Sequence, residues 1–149
     1  MTTEIRYNFD SKKSASIVTK GEANRCLLLV EDNIINQQVA QAMLKSLGFS
    51  VDIANNGEEA VEKFSPGKYS VILMDCQMPI LNGFEAASKI RTMEEDTGVH
   101  TPIIALTASA FRETKERCFE SGMDNFITKP FKLLDLKNVL DIHEDSEDE

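Results

Sequence analysis

The most apolar stretch of this 149-residue chain ends in a charge. In VILMDCQMP, Val71 to Pro79, four apolar residues run into Asp75 and the chain then breaks at Met-Pro. A carboxylate at the end of a buried strand is costly unless something stabilises it. Other chemically capable side chains leave comparable apolar runs: Glu31 and Asp32 after CLLLV, Thr107 after TPIIAL, and Lys129 after NFIT. Three carboxylates brought together repel and raise one another's proton affinity. Such a cluster suits a hard cation with oxygen ligands, and Mg²⁺ fits because it keeps several waters and takes one or two carboxylates. Lys129 adds an ammonium donor and Thr107 a hydroxyl. A divalent cation, a lysine, a hydroxyl and one free carboxylate make a phosphoryl-binding constellation. Asp75 is its best-placed nucleophile, and the product would be an acyl phosphate. Each residue also has a plainer reading. Glu31-Asp32-Asn33 could cap the next helix, Thr107 could be an N-cap hydroxyl, and Lys129 a solvated charge. Asp75 beside the acidic pair tips the balance toward the metal.

The chemistry requires that distant segments meet, and the hydrophobic pattern indicates how. Short apolar runs at Cys26–Val30, Ser50–Ala54, Tyr69–Met74, Thr101–Leu106 and Asn125–Thr128 read as strands. Helical spacing separates them. Ile35, Val39, Ala42, Met43 and Leu47 mark the apolar stripe of a first helix that starts near Asn33 and stops at Gly48. Further helices are expected at Gly57–Phe64, from about Gly83 to Met93 with Phe84, Ala87 and Ile90 inward, and at Ala110–Gly122. A last one, from about Lys132 to Ile142, would bury Leu133, Leu136 and Leu140. Five strands alternating with five helices imply an α/β fold with a doubly wound parallel sheet. In strand order 2-1-3-4-5, Glu31, Asp32 and Asp75 converge at the carboxyl ends of the central strands. Thr107 and Lys129 flank them, where open sheets of this kind bind ligands.

Bulk composition narrows the function. Six acids and no Lys or Arg fill Asp141–Glu149, and the remaining 19 acids against 16 bases leave a body charge near −3 out of a total of −9. No basic stripe exists to release counterions, so no nucleic-acid surface is expected. No long apolar span or secretory h-region appears, so neither membrane contact nor export is expected and the compartment reads as cytoplasmic. Cys26, Cys76 and Cys118 are odd in number and far apart, and suggest neither a disulfide framework nor a zinc site. Residues 1–24 are polar and aperiodic and read as a flexible leader or linker. Residues 25–142 form the domain, and 143–149 an acidic disordered tail.

The motifs LLLVEDN, VILMDCQMPILNGFEA, PIIALTASA and GMDNFITKP, in that order, resemble the receiver domain of two-component response regulators. The resemblance implies a flavodoxin-like fold and phosphoaspartate chemistry rather than turnover of a substrate, so the chain is expected to be an autocatalytic phosphoacceptor and not an enzyme. It matches Glu31 and Asp32 to the family's acidic pair, Asp75 to the phosphoacceptor, Thr107 to the switch hydroxyl and Lys129 to the lysine. It further implies metal ligation by Asp32, Asp75 and the backbone carbonyl of Gln77, with Glu31 acting through water. Mn²⁺ is an alternative to Mg²⁺. A cis Lys129-Pro130 bond is implied, as is tuning of acyl phosphate hydrolysis by Gln77 and Ser109. Phe126 occupies the place of a switch aromatic that is often tyrosine. It either swings between rotamers without a phenolic hydrogen bond or is a core residue of the last strand. EDNIINQQVAQAMLKSLG, MDCQMP and ALTASAF look most like receivers of hybrid sensor histidine kinases. The implied partners are therefore a sensor histidine kinase, a histidine phosphotransfer protein, or both. The donor's histidine lies on the partner, because His100 and His143 read as solvent residues of a loop and the tail.

Other classes fit less well. An aspartate-nucleophile phosphohydrolase of the haloacid dehalogenase type carries a second acid two residues after the nucleophile, on its first strand. Here that place is Gln77, on the third. A binding module that keeps the fold without phosphorylation would not retain all five chemical residues. In a flavodoxin the loop after the first strand would be rich in Ser, Thr and Gly, whereas EDN repels a phosphate. Nothing after Ile142 reads as an effector domain, so a stand-alone response regulator and a piece of a hybrid kinase are both compatible with the sequence.

Overall fold

A computed structural model describes residues 25–78 and 80–145. The leader assigned to residues 1–24 and the last four residues of the acidic tail lie outside them. Elements alternate as expected: β1 (Cys26–Val30), α1 (Ile34–Ser46), β2 (Ser50–Ala54), α2 (Gly57–Lys63), β3 (Val71–Asp75), α3 (Gly83–Glu94), β4 (Ile103–Thr107), α4 (Arg112–Glu120), β5 (Asn125–Thr128) and α5 (Leu133–Asp145). The five strands are parallel in the order β2-β1-β3-β4-β5.

Side chains alternate across a strand, so each central strand feeds two cores. Leu27 and Leu29 of β1, Val71 and Leu73 of β3 and Ile104 and Leu106 of β4 pack with Leu44 of α1 and Leu136, Val139 and Leu140 of α5. Leu28, Val30, Ile72, Met74 and Ala105 face the other way, onto Ala60 of α2, Phe84, Ala87 and Ile90 of α3 and Cys118 of α4. Every residue of β3 and β4 is buried, as the continuous apolar runs require of strands covered on both faces. Cys26, Cys76 and Cys118 form no disulfide. Cys76 and Cys118 touch, Sγ to Sγ, at 3.8 Å, which joins the end of β3 to α4.

Three expectations need correction. The stripe assigned to α1 is not the one it buries: Gln37, Ala40 and Leu44 face the core, while Ile35 and Val39 are exposed and Met43 and Leu47 only half-buried. The helix carries two apolar rows, and the crossover from β1 to β2 turns the smaller-residue row inward. In α5, Val139 takes the buried place assigned to Leu133, and the helix continues through 143–145 because no Gly or Pro stops it. Helix α4 starts at Arg112, two residues after the expected Ala110.

The strand ends are in register where the chemistry is expected. Val30 pairs with Met74, Asp75 with Leu106 and Thr107 with Thr128. Helix α3 begins flush against the end of β3, since a Cβ at Gly83 would collide with the Asp75 carbonyl. A capping box of Asn82 and Glu85 fixes that start, with Asn82 Oδ1 accepting the Glu85 N–H at 2.9 Å.

Candidate functional site

Alternation decides which chemical residues meet. Asp75 continues the row of Val71 and Leu73, and Glu31 continues that of Leu27 and Leu29 just past β1. Lys129, two residues beyond Ile127, lies on the same side as both. Lys129 Nζ reaches Glu31 Oε1 at 3.2 Å and Asp75 Oδ2 at 3.3 Å. The Lys129-Pro130 bond is cis. Glu31 and Asp75 are buried, whereas Asp32 is exposed. A carboxylate oxygen from each of Glu31, Asp32 and Asp75 lies within 4.8 Å of the others.

Burial raises the proton affinity of Asp75 most. The Gln77 N–H and the Lys129 charge oppose it and Glu31 adds to it, with the carboxyl pushed up to about 6. Lys129 is pushed up as well, because the Asp75 and Glu31 carboxylates outweigh its own desolvation. So one ammonium does not neutralise the acids. Three clustered oxygens of hard character, two of them on buried residues, fit a small divalent cation. Glu31, Asp32 and Asp75 would hold it.

The plainer readings resolve individually. The cap of α1 is Asn33, whose Oδ1 accepts the Asn36 N–H at 3.0 Å, so Glu31 and Asp32 are not needed for capping. Glu31 Oε2 instead accepts the Asn33 N–H at 3.2 Å. Thr107 is not an N-cap either, because Phe111 holds that position for α4. The Thr107 hydroxyl bonds with Ser109, on the α4 side of the sheet. Phe126 is half-buried. Its ring meets Phe119 edge-on at 6.5 Å between centroids, and Lys115 Nζ sits 5.0 Å over it.

Sequence reasoning missed Gln37. Its side-chain amide donates to the Glu31 carbonyl at 2.6 Å and to Asn55 Oδ1 at 2.8 Å, tying the acidic pair to the β2–α2 loop. The available signal was a polar residue on the same helical row as Ala40 and Leu44. His100, assigned to solvent, bonds Asp124 Oδ1 at 2.7 Å. The side chain of His143 lies outside the described residues.

The parallel sheet, the acidic cluster and the bridging lysine define the class, and the comparisons agree. The chain belongs to the response regulator receiver domain family, whose model matches residues 27–141. Among curated relatives it is 42% identical over 119 residues to hybrid signal transduction histidine kinase B of Dictyostelium discoideum, covering 74% of this chain and 6% of that kinase. It is 38% identical over 153 residues to histidine kinase 5 of Arabidopsis thaliana, covering 87% and 17%. The chain thus spans a small part of these kinases. Among solved structures, it superposes on the receiver domain of the sensor histidine kinase PA1611 from Pseudomonas aeruginosa, which has a magnesium ion coordinated in its active-site cleft. The TM-score is 0.72 at 42% identity, covering 80% of this chain and 97% of that one. The receiver domain of the Saccharomyces cerevisiae response regulator Ssk1, crystallised with the histidine phosphotransfer protein Ypd1, matches with a TM-score of 0.75 at 35% identity, covering 80% and 88%. Among the described residues no helix is long and apolar enough to cross a membrane.

Proposed function

We propose that this chain accepts a phosphoryl group from a phosphohistidine onto Asp75 and either switches its α4–β5–α5 face or relays the group to a histidine phosphotransfer protein. The observation that carries this is the contact of Lys129 Nζ with both Glu31 and Asp75 inside a three-carboxylate cluster at the sheet's carboxyl edge. In the transfer, an Asp75 carboxylate oxygen forms the new O–P bond as the histidine N–P bond breaks, and the imidazole leaves. Mg²⁺, when bound by Asp32, Asp75 and the Gln77 carbonyl, with Glu31 acting through water, offsets the negative charge of the carboxylates and phosphoryl oxygens. Lys129 exchanges its carboxylate contacts for a phosphoryl oxygen, and Thr107 turns its hydroxyl to another. Gln77 and Ser109 border the site and tune how long the acyl phosphate lasts.

The partner would dock on exposed apolar residues of α1. Ile34 and Ile35 are 66% and 65% exposed, and Val39 is 50% exposed. Val39, with Asn36 and Ala40, lines an open groove of about 380 Å³ that also takes in Glu31, Leu106, Lys129, Pro130 and Phe131, and Ile35 lies one turn before Val39 on the same helix. An apolar helical face beside a phosphohistidine fits this groove and brings the phosphorus to Asp75. The identities to hybrid-kinase receivers and the likeness to a receiver crystallised with a phosphotransfer protein support a relay. Asp75→Asn abolishes labelling by a phosphorylated histidine donor, and wild-type label is lost in hot acid and hydroxylamine as an acyl phosphate. Undiminished labelling of the Asn variant would overturn the assignment.

A further inference from the structure

In this conformation the Thr107 hydroxyl is already engaged. It accepts the Ser109 N–H at 3.1 Å and donates to the Ser109 carbonyl at 3.2 Å. The Ser109 hydroxyl in turn accepts the Phe111 N–H at 3.1 Å and the hydroxyl of Thr114 at 3.2 Å. Thr114 stands in the first turn of α4, whose cap residue, Phe111, has no side-chain acceptor to offer. Ser109, held by Thr107 through its backbone and by Thr114 through its hydroxyl, therefore joins the end of β4 to the start of α4. Ser109 thus ties down the Phe111 N–H at the entry to a helix that has no side-chain cap.

We propose that Thr114 is a positioning residue for the phosphoryl-accepting site: through Ser109 it holds the β4–α4 loop, and with it the Thr107 hydroxyl, in the resting arrangement. The inference rests on the proposed role of Thr107. For Thr107 to reach a phosphoryl oxygen on Asp75, its closed turn with Ser109 must open. Opening moves Ser109 away from Phe111 and Thr114, so the first turn of α4 loosens as the switch is thrown. The bond to Thr114 weights the equilibrium toward rest and leaves the site's own ligands unchanged.

Thr114→Val keeps the shape of the side chain and removes the hydroxyl, while Thr114→Ser keeps the hydroxyl. One neutral hydrogen bond is worth a factor of roughly two to ten in such an equilibrium. With Mg²⁺ present, labelling of Asp75 by acetyl phosphate accelerates by about that factor in the Val variant and stays at the wild-type rate in the Ser variant. Amide resonances of residues 109–120 in the resting Val variant move along the line joining the wild-type positions in Mg²⁺ alone to those in Mg²⁺ with beryllofluoride. Resonances that stay in place or leave that line, with an unchanged labelling rate, would overturn the proposal. If wild-type protein neither labels nor responds to beryllofluoride, the phosphoacceptor reading fails, and hydrogen exchange still tests the latch. Faster exchange at the amides of residues 111–114 in the Val variant, restored in the Ser variant, supports it, and equal exchange in all three proteins defeats it.

Discussion

Asp75 occupies its place at a cost to the fold. Burial outweighs the help of Lys129 and the Gln77 amide, so the folded protein holds the Asp75 proton to about pH 6. An unfolded chain releases it near pH 4. A carboxyl raised on folding lowers stability as pH rises through that window, because the native state then binds more protons than the unfolded one. Asp75→Asn is therefore expected to raise metal-free stability at pH 7.5 by about 1–2 kcal/mol, read by denaturant melts. Added Mg²⁺ should raise the wild-type melting temperature by mass action and the variant's much less. A destabilised Asn variant would mean that the contact with Lys129 outweighs the burial. The residues of the candidate site were legible one by one, because a charge ending an apolar run has few structural excuses. Gln37 was not, because a glutamine in a polar helix looks ordinary until the core shows which row it sits on.

At the scale of elements, α1 and α4 divide the work. Helix α1 turns Ala40 and Leu44 inward and leaves Ile35 and Val39 exposed one turn apart, with Val39 lining the groove that reaches Glu31 and Lys129. Ile35→Lys should lower the rate of transfer from a phosphohistidine partner at least tenfold, the order of a lost interface anchor. Labelling of the same variant by acetyl phosphate should be unchanged, since the side chain contributes nothing to the site itself. Equal losses with both donors would count against a docking role. Helix α4 contributes a single fully buried residue, Cys118, its Phe119 is exposed, and it follows a loop held by hydroxyl bonds that ends in the exposed Phe111. An element so lightly anchored can shift at small cost, whereas β3 and β4, buried throughout, cannot.

Across the whole molecule, the amino edge of the sheet is braced by a charged network. Far from Asp75, at the opposite edge of the sheet, Arg91 Nη1 bonds Glu94 Oε1 at 2.5 Å and Nη2 bonds Asp124 Oδ2 at 2.8 Å. Asp124 also accepts the Ile103 N–H at 2.8 Å and bonds His100. Burial pushes the Asp124 carboxyl up, but His100, Arg91 and that amide outweigh it and leave it below its ordinary range. A depressed carboxyl contributes stability that is present above the usual carboxylate range and lost as pH falls through and below it. Asp124→Asn should cost about 2 kcal/mol at pH 7, allowing for the partial exposure of the pair. It should also flatten the acid limb of the stability profile while leaving the labelling of Asp75 intact. An unchanged acid limb would show that the network does not brace the fold.

The sequence by itself determined the alternation of five strands with five helices, their parallel pairing and the residues that end each strand. Those features depend on local period and on right-handed crossovers, which are properties of the chain. Only the tertiary structure decided which apolar row of α1 meets the core, that Asn33 rather than the acidic pair caps that helix, and that Thr107 bonds Ser109. It also decided that Lys129 lies between Glu31 and Asp75. Each of these depends on how elements distant in sequence are rotated against one another. Periodicity counts apolar rows and strand ends but carries no information on that rotation, which packing sets.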